Sequence, residues 1–181
     1  MSDFTLINAE LTIVMQLCKI KIMRRKDKEI TDIEEKLNVI HQCKVCRLGL
    51  AENNTPYVVP LNYGYSFENN VLTLFFHGAH EGRKINIIKN NNKACFEIDC
   101  DTALIEGGAA CTYSYAFKSI LGFGEIIILE TAEEKSSGLN KIMKHQTGKE
   151  ITYNFTDDEL KNVFVYKMDV KEFTGKQKSF R

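Results

Sequence analysis

The sequence predicts a mainly β fold: an antiparallel barrel, closed or nearly closed, with a few short helices. Six or seven runs are rich in β-branched and aromatic residues. Paired asparagines punctuate them, and asparagine tolerates the left-handed geometry that hairpin turns require. The strands do not alternate regularly with helices, which argues against a doubly wound parallel sheet.

The first helix opens at Thr31…Glu34, a Ser/Thr-x-x-Glu signature in which hydroxyl and carboxylate satisfy orphan amides reciprocally. Its apolar residues Ile33, Leu37 and Ile40 fall on one face. Strand runs follow at 44–51, 57–67 and 71–77, with Asn53-Asn54 and Asn69-Asn70 between them. Pro60 lies inside the second run, which implies an edge, a bulge or a ligand-facing break. A helix over 81–91 uses Ile85, Ile87 and Ile88, and further strands are expected at 93–99, 109–117 and 118–129. Thr131…Glu134 opens a helix with Leu139, Ile142 and Met143 as its buried stripe. Thr156…Glu159 marks a shorter turn before a last strand at 162–173.

A length of 181 residues fits one domain, and 44% hydrophobic with 27% charged residues is the composition of a globule with a real core. Twenty-four basic residues balance twenty-four acidic ones, so any anion site must be local. Six cysteines in a chain too long for a disulfide-stapled mini-domain read as free thiols of a cytoplasmic protein. Asp3, Glu10, Lys19 and Lys21 interrupt the apolar residues of the first 22 positions, leaving neither a signal sequence nor a membrane span.

The segment most informative about chemistry is Leu74-Phe75-Phe76-His77-Gly78-Ala79-His80-Glu81-Gly82-Arg83-Lys84. A strand ends, two glycines permit tight backbone, and two adjacent cations arrive where a helix begins. Helix amides, a planar guanidinium fork and an ammonium would together cradle a phosphate. On spacing alone the segment also reads as a surface turn with two solvated cations.

From Met23 onward the sequence resembles the FMN-binding split-barrel superfamily of the pyridoxamine-phosphate oxidases, most closely its nitroimidazole-resistance branch. The matching pieces are Met23-Arg24-Arg25-Lys26-Asp27-Lys28-Glu29-Ile30, Val45-Cys46-Arg47-Leu48-Gly49-Leu50 and Pro56-Tyr57-Val58-Val59-Pro60-Leu61-Asn62-Tyr63-Gly64-Tyr65. Phe76-His77-Gly78-Ala79…Glu81-Gly82-Arg83-Lys84, Cys95-Phe96-Glu97, Ser119-Ile120-Leu121-Gly122-Phe123-Gly124 and Thr174-Gly175-Lys176 continue the match.

The resemblance implies a six-stranded antiparallel split β-barrel of Greek-key type. One FMN-binding domain would cover 23–176, with an N-terminal extension at 1–22 and a tail at 177–181. It implies FMN as cofactor, with FAD as an alternative. Val58, Val59, Pro60, Leu61 and Asn62 would line the flavin ring and ribityl chain, largely through backbone. Phe76, His77, Gly78 and Ala79 match the strand end beside the cofactor, and Gly82, Arg83 and Lys84 the phosphate site. Ser119 matches a polar residue near the isoalloxazine, commonly contributed across a dimer interface, so a homodimer with flavin at the subunit boundary is expected. His77 matches a residue proposed to act in the active site; a structural hydrogen bond to backbone is the other reading. The chain departs from the oxidases proper in having no Trp and in lacking an arginine-containing substrate segment at its end, which puts vitamin B6 oxidation in doubt.

Other residues read more plainly. Cys43-x-x-Cys46 could be half a zinc site, but side chains three apart on a strand face opposite ways and two more ligands would be needed. No metal is expected. His41, His80 and His145 read as surface or helix-end residues. Arg24-Arg25-Lys26 with Lys28 is a basic run diluted by Asp27 and Glu29, without aromatic interleaving, so no nucleic-acid partner is expected. The leading functional expectation is a flavin-dependent oxidoreductase acting on a small electron acceptor such as a nitroaromatic. A non-catalytic carrier of flavin, haem or deazaflavin on the same barrel is the alternative. A metal or nucleic-acid module built on the cysteines and the basic run is a third.

Overall fold

The computed structural model describes residues 24–179. The expected extension at 1–22, Met23 and the last two positions of the tail lie outside the described residues. In chain order the elements are β1 (Glu29–Ile30), α1 (Ile33–Gln42), β2 (Val45–Glu52), β3 (Thr55–Asn62), β4 (Gly64–Glu68) and β5 (Val71–Gly78). Then come α2 (Arg83–Asn90), β6 (Lys93–Ile105), β7 (Ser114–Leu129), α3 (Ala132–Thr147), α4 (Asp157–Lys161) and β8 (Phe164–Lys178).

Every strand pairing is antiparallel, in the order β3-β2-β6-β7-β8-β5-β4 with β1 against β8. β6, β7 and β8 are successive neighbours, and β5, which precedes them in the chain, lies against β8. That is a Greek key. β3 and β4 occupy opposite ends of this order, yet only Tyr63 separates them in the chain. One residue can join the two ends only if the sheet curls until they face each other, so the sheet forms a barrel with a seam between β3 and β4.

Polar staples hold that seam. Tyr63 is fully buried, and its hydroxyl lies 2.6 Å from the Ile40 carbonyl and 3.1 Å from that of Cys43. The Gln146 amide, on α3, donates to the carbonyls of Tyr63 (2.8 Å) and Lys44 (3.1 Å). Inside the barrel, Leu48, Leu74, Phe76, Phe96, Ile98 and Tyr166 are sealed from solvent.

Several local expectations shift. The 57–67 run is two strands, broken at Tyr63, while the 109–117 and 118–129 runs fuse into the single long β7. With the two-residue β1, the sheet has eight strands rather than six. α1 is capped by Asp32, not Thr31: its Oδ1 accepts the Glu34 N–H at 3.1 Å. Its buried residues are Val39 and Ile40, with Leu37 half-buried and Ile33 exposed. The boxes at Thr131 and Thr156 form as predicted. Both asparagine pairs have positive φ, from 47° to 62°, as the hairpin geometry demands. Among the described residues no helix is long and apolar enough to cross a membrane.

Candidate functional site

The turn from β5 into α2 is where donors gather. Gly82 precedes the helix with φ 124°, a conformation that suits glycine, and no side chain caps the helix there. The N–H groups of Ile85 and Asn86 return to the Gly82 carbonyl at 3.0 and 3.2 Å. The first-turn amides of Arg83 and Lys84 are left pointing off the helix end, and a Cβ built on Gly82 would meet nothing within 4 Å. Open space, free amides and the positive end of the helix dipole coincide.

The two cations stand on either side of this end. The Arg83 guanidinium lies 5.0 Å over the Tyr57 ring, with Nε 3.7 Å from Glu52 Oε2. That exposed, long ion pair is weak, so the guanidinium can reach an incoming anion at little cost. Lys84 is half-buried, its Nζ 5.9 Å over the Tyr166 ring. A Cβ on Gly78 would come within 2.9 Å of that ammonium, so glycine leaves the lysine room to lie across the strand end. Burial pushes the Lys84 pKa down, and burial followed by the Lys84 charge does the same to His77. His77 stands beside Lys84 with part of its ring open to solvent.

Beneath Lys84, Tyr166 is sealed in the barrel and stacked on Phe76 at 5.4 Å. Its hydroxyl is the one buried side-chain polar atom without a partner among the described residues. An unsatisfied buried hydroxyl calls for a role or an ordered water. Burial, then Cys46 and Tyr57, raises its pKa, so it stays a neutral donor.

β3 supplies the next wall. It pairs only with β2, so it is an edge strand, which explains how Pro60 is tolerated opposite Arg47. Val59 and Leu61 turn toward the core with Tyr57, while Val58, Pro60 and Asn62 face out and are exposed. The Phe76 side chain is wholly in the core, so only its backbone is available to a ligand; Gly78 and Ala79 sit at the strand end. Ser119 is apart from this group. It pairs with Asp99 and Lys176, and β7 lies three strands from β3, about 14 Å at usual strand spacing. A single chain therefore assembles Tyr57, His77, Gly78, Gly82, Arg83 and Lys84 but not Ser119.

Sequence reasoning missed Glu52 and Tyr166. An isolated tyrosine at an inward position of an alternating strand was the available signal for the second. His145 stands in the last turn of α3, as the helix-end reading had it, but is buried at 4% exposure rather than at the surface. Cys43 is the C-cap of α1 and Cys46 an inward residue of β2; both are buried, and burial raises both thiol pKa values, that of Cys46 to about 12. Among the described residues no cluster of three or more His, Cys, Asp or Glu could hold a metal. A separate cleft of about 280 Å³ lies among His41, Tyr65, Glu68, Lys141 and Lys144.

A family model described as pyridoxamine 5'-phosphate oxidase matches residues 32–177. Among solved structures, a candidate 5-nitroimidazole antibiotic resistance protein from Bacteroides thetaiotaomicron VPI-5482 is 33% identical, with a TM-score of 0.70 over 82% of this chain and 86% of that one. The flavocytochrome Anf3 from Azotobacter vinelandii superposes with a TM-score of 0.72 at 16% identity, over 88% of this chain and 73% of its own. The FAD and haem binding protein from Mycobacterium smegmatis gives 0.72 at 14% identity, over 84% and 74%. At such identities the last two show the fold alone. No curated protein matches the chain.

Proposed function

The chain belongs to the pyridoxamine 5'-phosphate oxidase family, and from that premise we propose that it is a flavin-dependent oxidoreductase reducing small electrophiles such as nitroimidazoles. The observation that carries the reading is the β5–α2 corner, where two adjacent cations and two free amides open α2 next to clear space at Gly82. Such a set matches one terminal phosphate dianion, which favours FMN over FAD. Charge-assisted bonds of about 1.5–3 kcal/mol each make two or three of them enough to anchor a nucleotide tail.

Arg83 and Lys84 hold the phosphate in this reading, and the β3 edge from Val58 to Asn62 runs beside the ring and ribityl chain. The partner copy supplies Ser119, which one chain keeps too far away. A bound flavin supplies the electron transfer, and the protein contributes position and field. His77 faces the substrate side. Its lowered pKa keeps it neutral at pH 7, able to donate a hydrogen bond to a nitro-group oxygen without repelling Lys84. Pyridoxamine phosphate is not the proposed substrate, because the chain has no Trp and lacks the arginine-containing end segment.

The first test is the double variant Arg83→Ala with Lys84→Ala. It should purify colourless with an unchanged far-ultraviolet circular dichroism spectrum, whereas the parent carries flavin absorbance. Full flavin occupancy in the variant would remove this corner from consideration. The second reading, a non-catalytic carrier, draws on the flavin- and haem-binding structural neighbours. Anaerobically reduced protein reoxidised by a nitroimidazole supports the enzyme; no reoxidation by any electrophile supports the carrier.

A further inference from the structure

The basic run at Arg24-Arg25-Lys26 and Lys28 has company in the fold. β1 sets Glu29 opposite Lys176 and Ile30 opposite Gly175, which brings the run to the far end of β8, where Lys176 and Lys178 stand. The Nζ atoms of Lys28 and Lys176 lie 6.0 and 5.8 Å from the centre of one ring, that of Phe117. Two residues further along β8, Lys178 Nζ donates to Ser114 Oγ. Beside them runs a groove of about 670 Å³, lined by Arg25, Asp27, Lys28 and Lys178 with Thr112, Ser114 and Gln177 as further hydrogen-bonding groups.

The charge here is not balanced locally, although it is balanced over the chain. Arg25, Lys28, Lys176 and Lys178 meet two carboxylates, Asp27 and Glu29. Asp27 is already held by Arg25 at 2.6 and 2.8 Å, and Glu29 makes no ion pair within 4 Å among the described residues. The nearby Lys118 is turned to Asp101. Desolvation, then Arg25 and Lys178, pulls the Lys28 pKa down against the opposing pull of Asp27, as expected where Lys28 lies near both cations. The ammonium groups of Lys28 and Lys178, with hydroxyls and an amide lining the same groove, suit an anion with charge on more than one centre.

We propose that this groove binds a small molecule bearing a pyrophosphate group, at a site separate from the Arg83–Lys84 corner. Pyrophosphate carries charge on two centres, one for each of the Lys28 and Lys178 ammonium groups, which a carboxylate lacks. A nucleic acid fits less well, because two ammonium groups already occupy the Phe117 ring on which a base would stack.

Calorimetric titration of the full chain with inorganic pyrophosphate, at fixed ionic strength, tests this. One saturable site per chain is expected. Lys28→Ala with Lys178→Ala should weaken it at least about tenfold, while Lys28→Arg with Lys178→Arg retains it and all variants keep the parental melting temperature. Arg83→Ala with Lys84→Ala should leave pyrophosphate binding unchanged, whatever it does to flavin. Absence of saturable binding overturns the proposal, as does loss of binding in the Arg83/Lys84 variant. Equal affinity for sulfate, or tighter binding of a single-stranded oligonucleotide, overturns the ligand class.

Discussion

His145 reaches from the last turn of α3 into the seam, with Nδ1 2.7 Å from the Tyr63 carbonyl and Nε2 3.0 Å from that of His41. Both carbonyls only accept, so a neutral ring with one N–H can satisfy one of them and an imidazolium could satisfy both. Burial opposes the imidazolium and outweighs the two carbonyls; the charges of Lys44 and His41 add to it, and the pKa falls below its ordinary value. Tyr63 and Tyr65 complete the surroundings as neutral rings. The folded state therefore binds this proton less readily than the unfolded chain. The His145 contribution to stability is complete above about pH 6.5 and is lost as pH falls through the folded value. Replacing His145 by Gln should flatten the decline of melting temperature between pH 7 and pH 5. Equal slopes for parent and variant would refute this account. The role was legible only in part: Gly138, Ile142 and His145 share one helix face at i, i+4 and i+7, but a histidine on that face reads as its boundary until the carbonyls it meets are known.

At the scale of elements, the break at Tyr63 depends on α3 rather than on the local sequence. Apart from Pro60 and Gly64 the run from 57 to 67 favours strand, and nothing in it says that its halves belong to opposite ends of a sheet. The close approach of the helix does. A Cβ on Gly64 would lie 2.4 Å from Ile142 N and Lys141 C, both backbone atoms that cannot swing away. Gly64→Ala should therefore push α3 off β4 and cost about 1–3 kcal/mol, as overpacking does. Gly108→Ala, where a Cβ meets nothing within 4 Å, should leave the denaturant midpoint unmoved. Equal midpoints for the two variants would contradict the packing argument. Hairpin turns and caps were readable because their signals are contiguous: paired asparagines, or a hydroxyl three residues before a glutamate. The cap of α1 slipped by one residue because Asp32, adjacent to Thr31, offers a carboxylate to the same helix end.

For the whole molecule the same contrast decides how much of the site could be read. The proposed phosphate corner could be picked out as one unit because His77, Gly78, Gly82, Arg83 and Lys84 lie within one short stretch of chain. The proposed ring end could not be read so, because in that reading Ser119 joins it only from a second copy. The outward face of β3, β2 and β7 is suited to such a copy: Val45, Val58 and Leu121 stand 42%, 62% and 45% exposed around the Arg47 ion pairs with Glu97 and Asp99. Apolar side chains clustered on a sheet face mark an interaction surface more often than a solvated one. Val58→Glu with Leu121→Glu buries two like charges in that proposed contact, a cost of several kcal/mol when such groups lack partners. The variant should sediment as a monomer and lose flavin while keeping its circular dichroism spectrum, since neither residue supports the core. A monomer that holds flavin as tightly as the parent would show that one barrel suffices and that Ser119 lies outside the site.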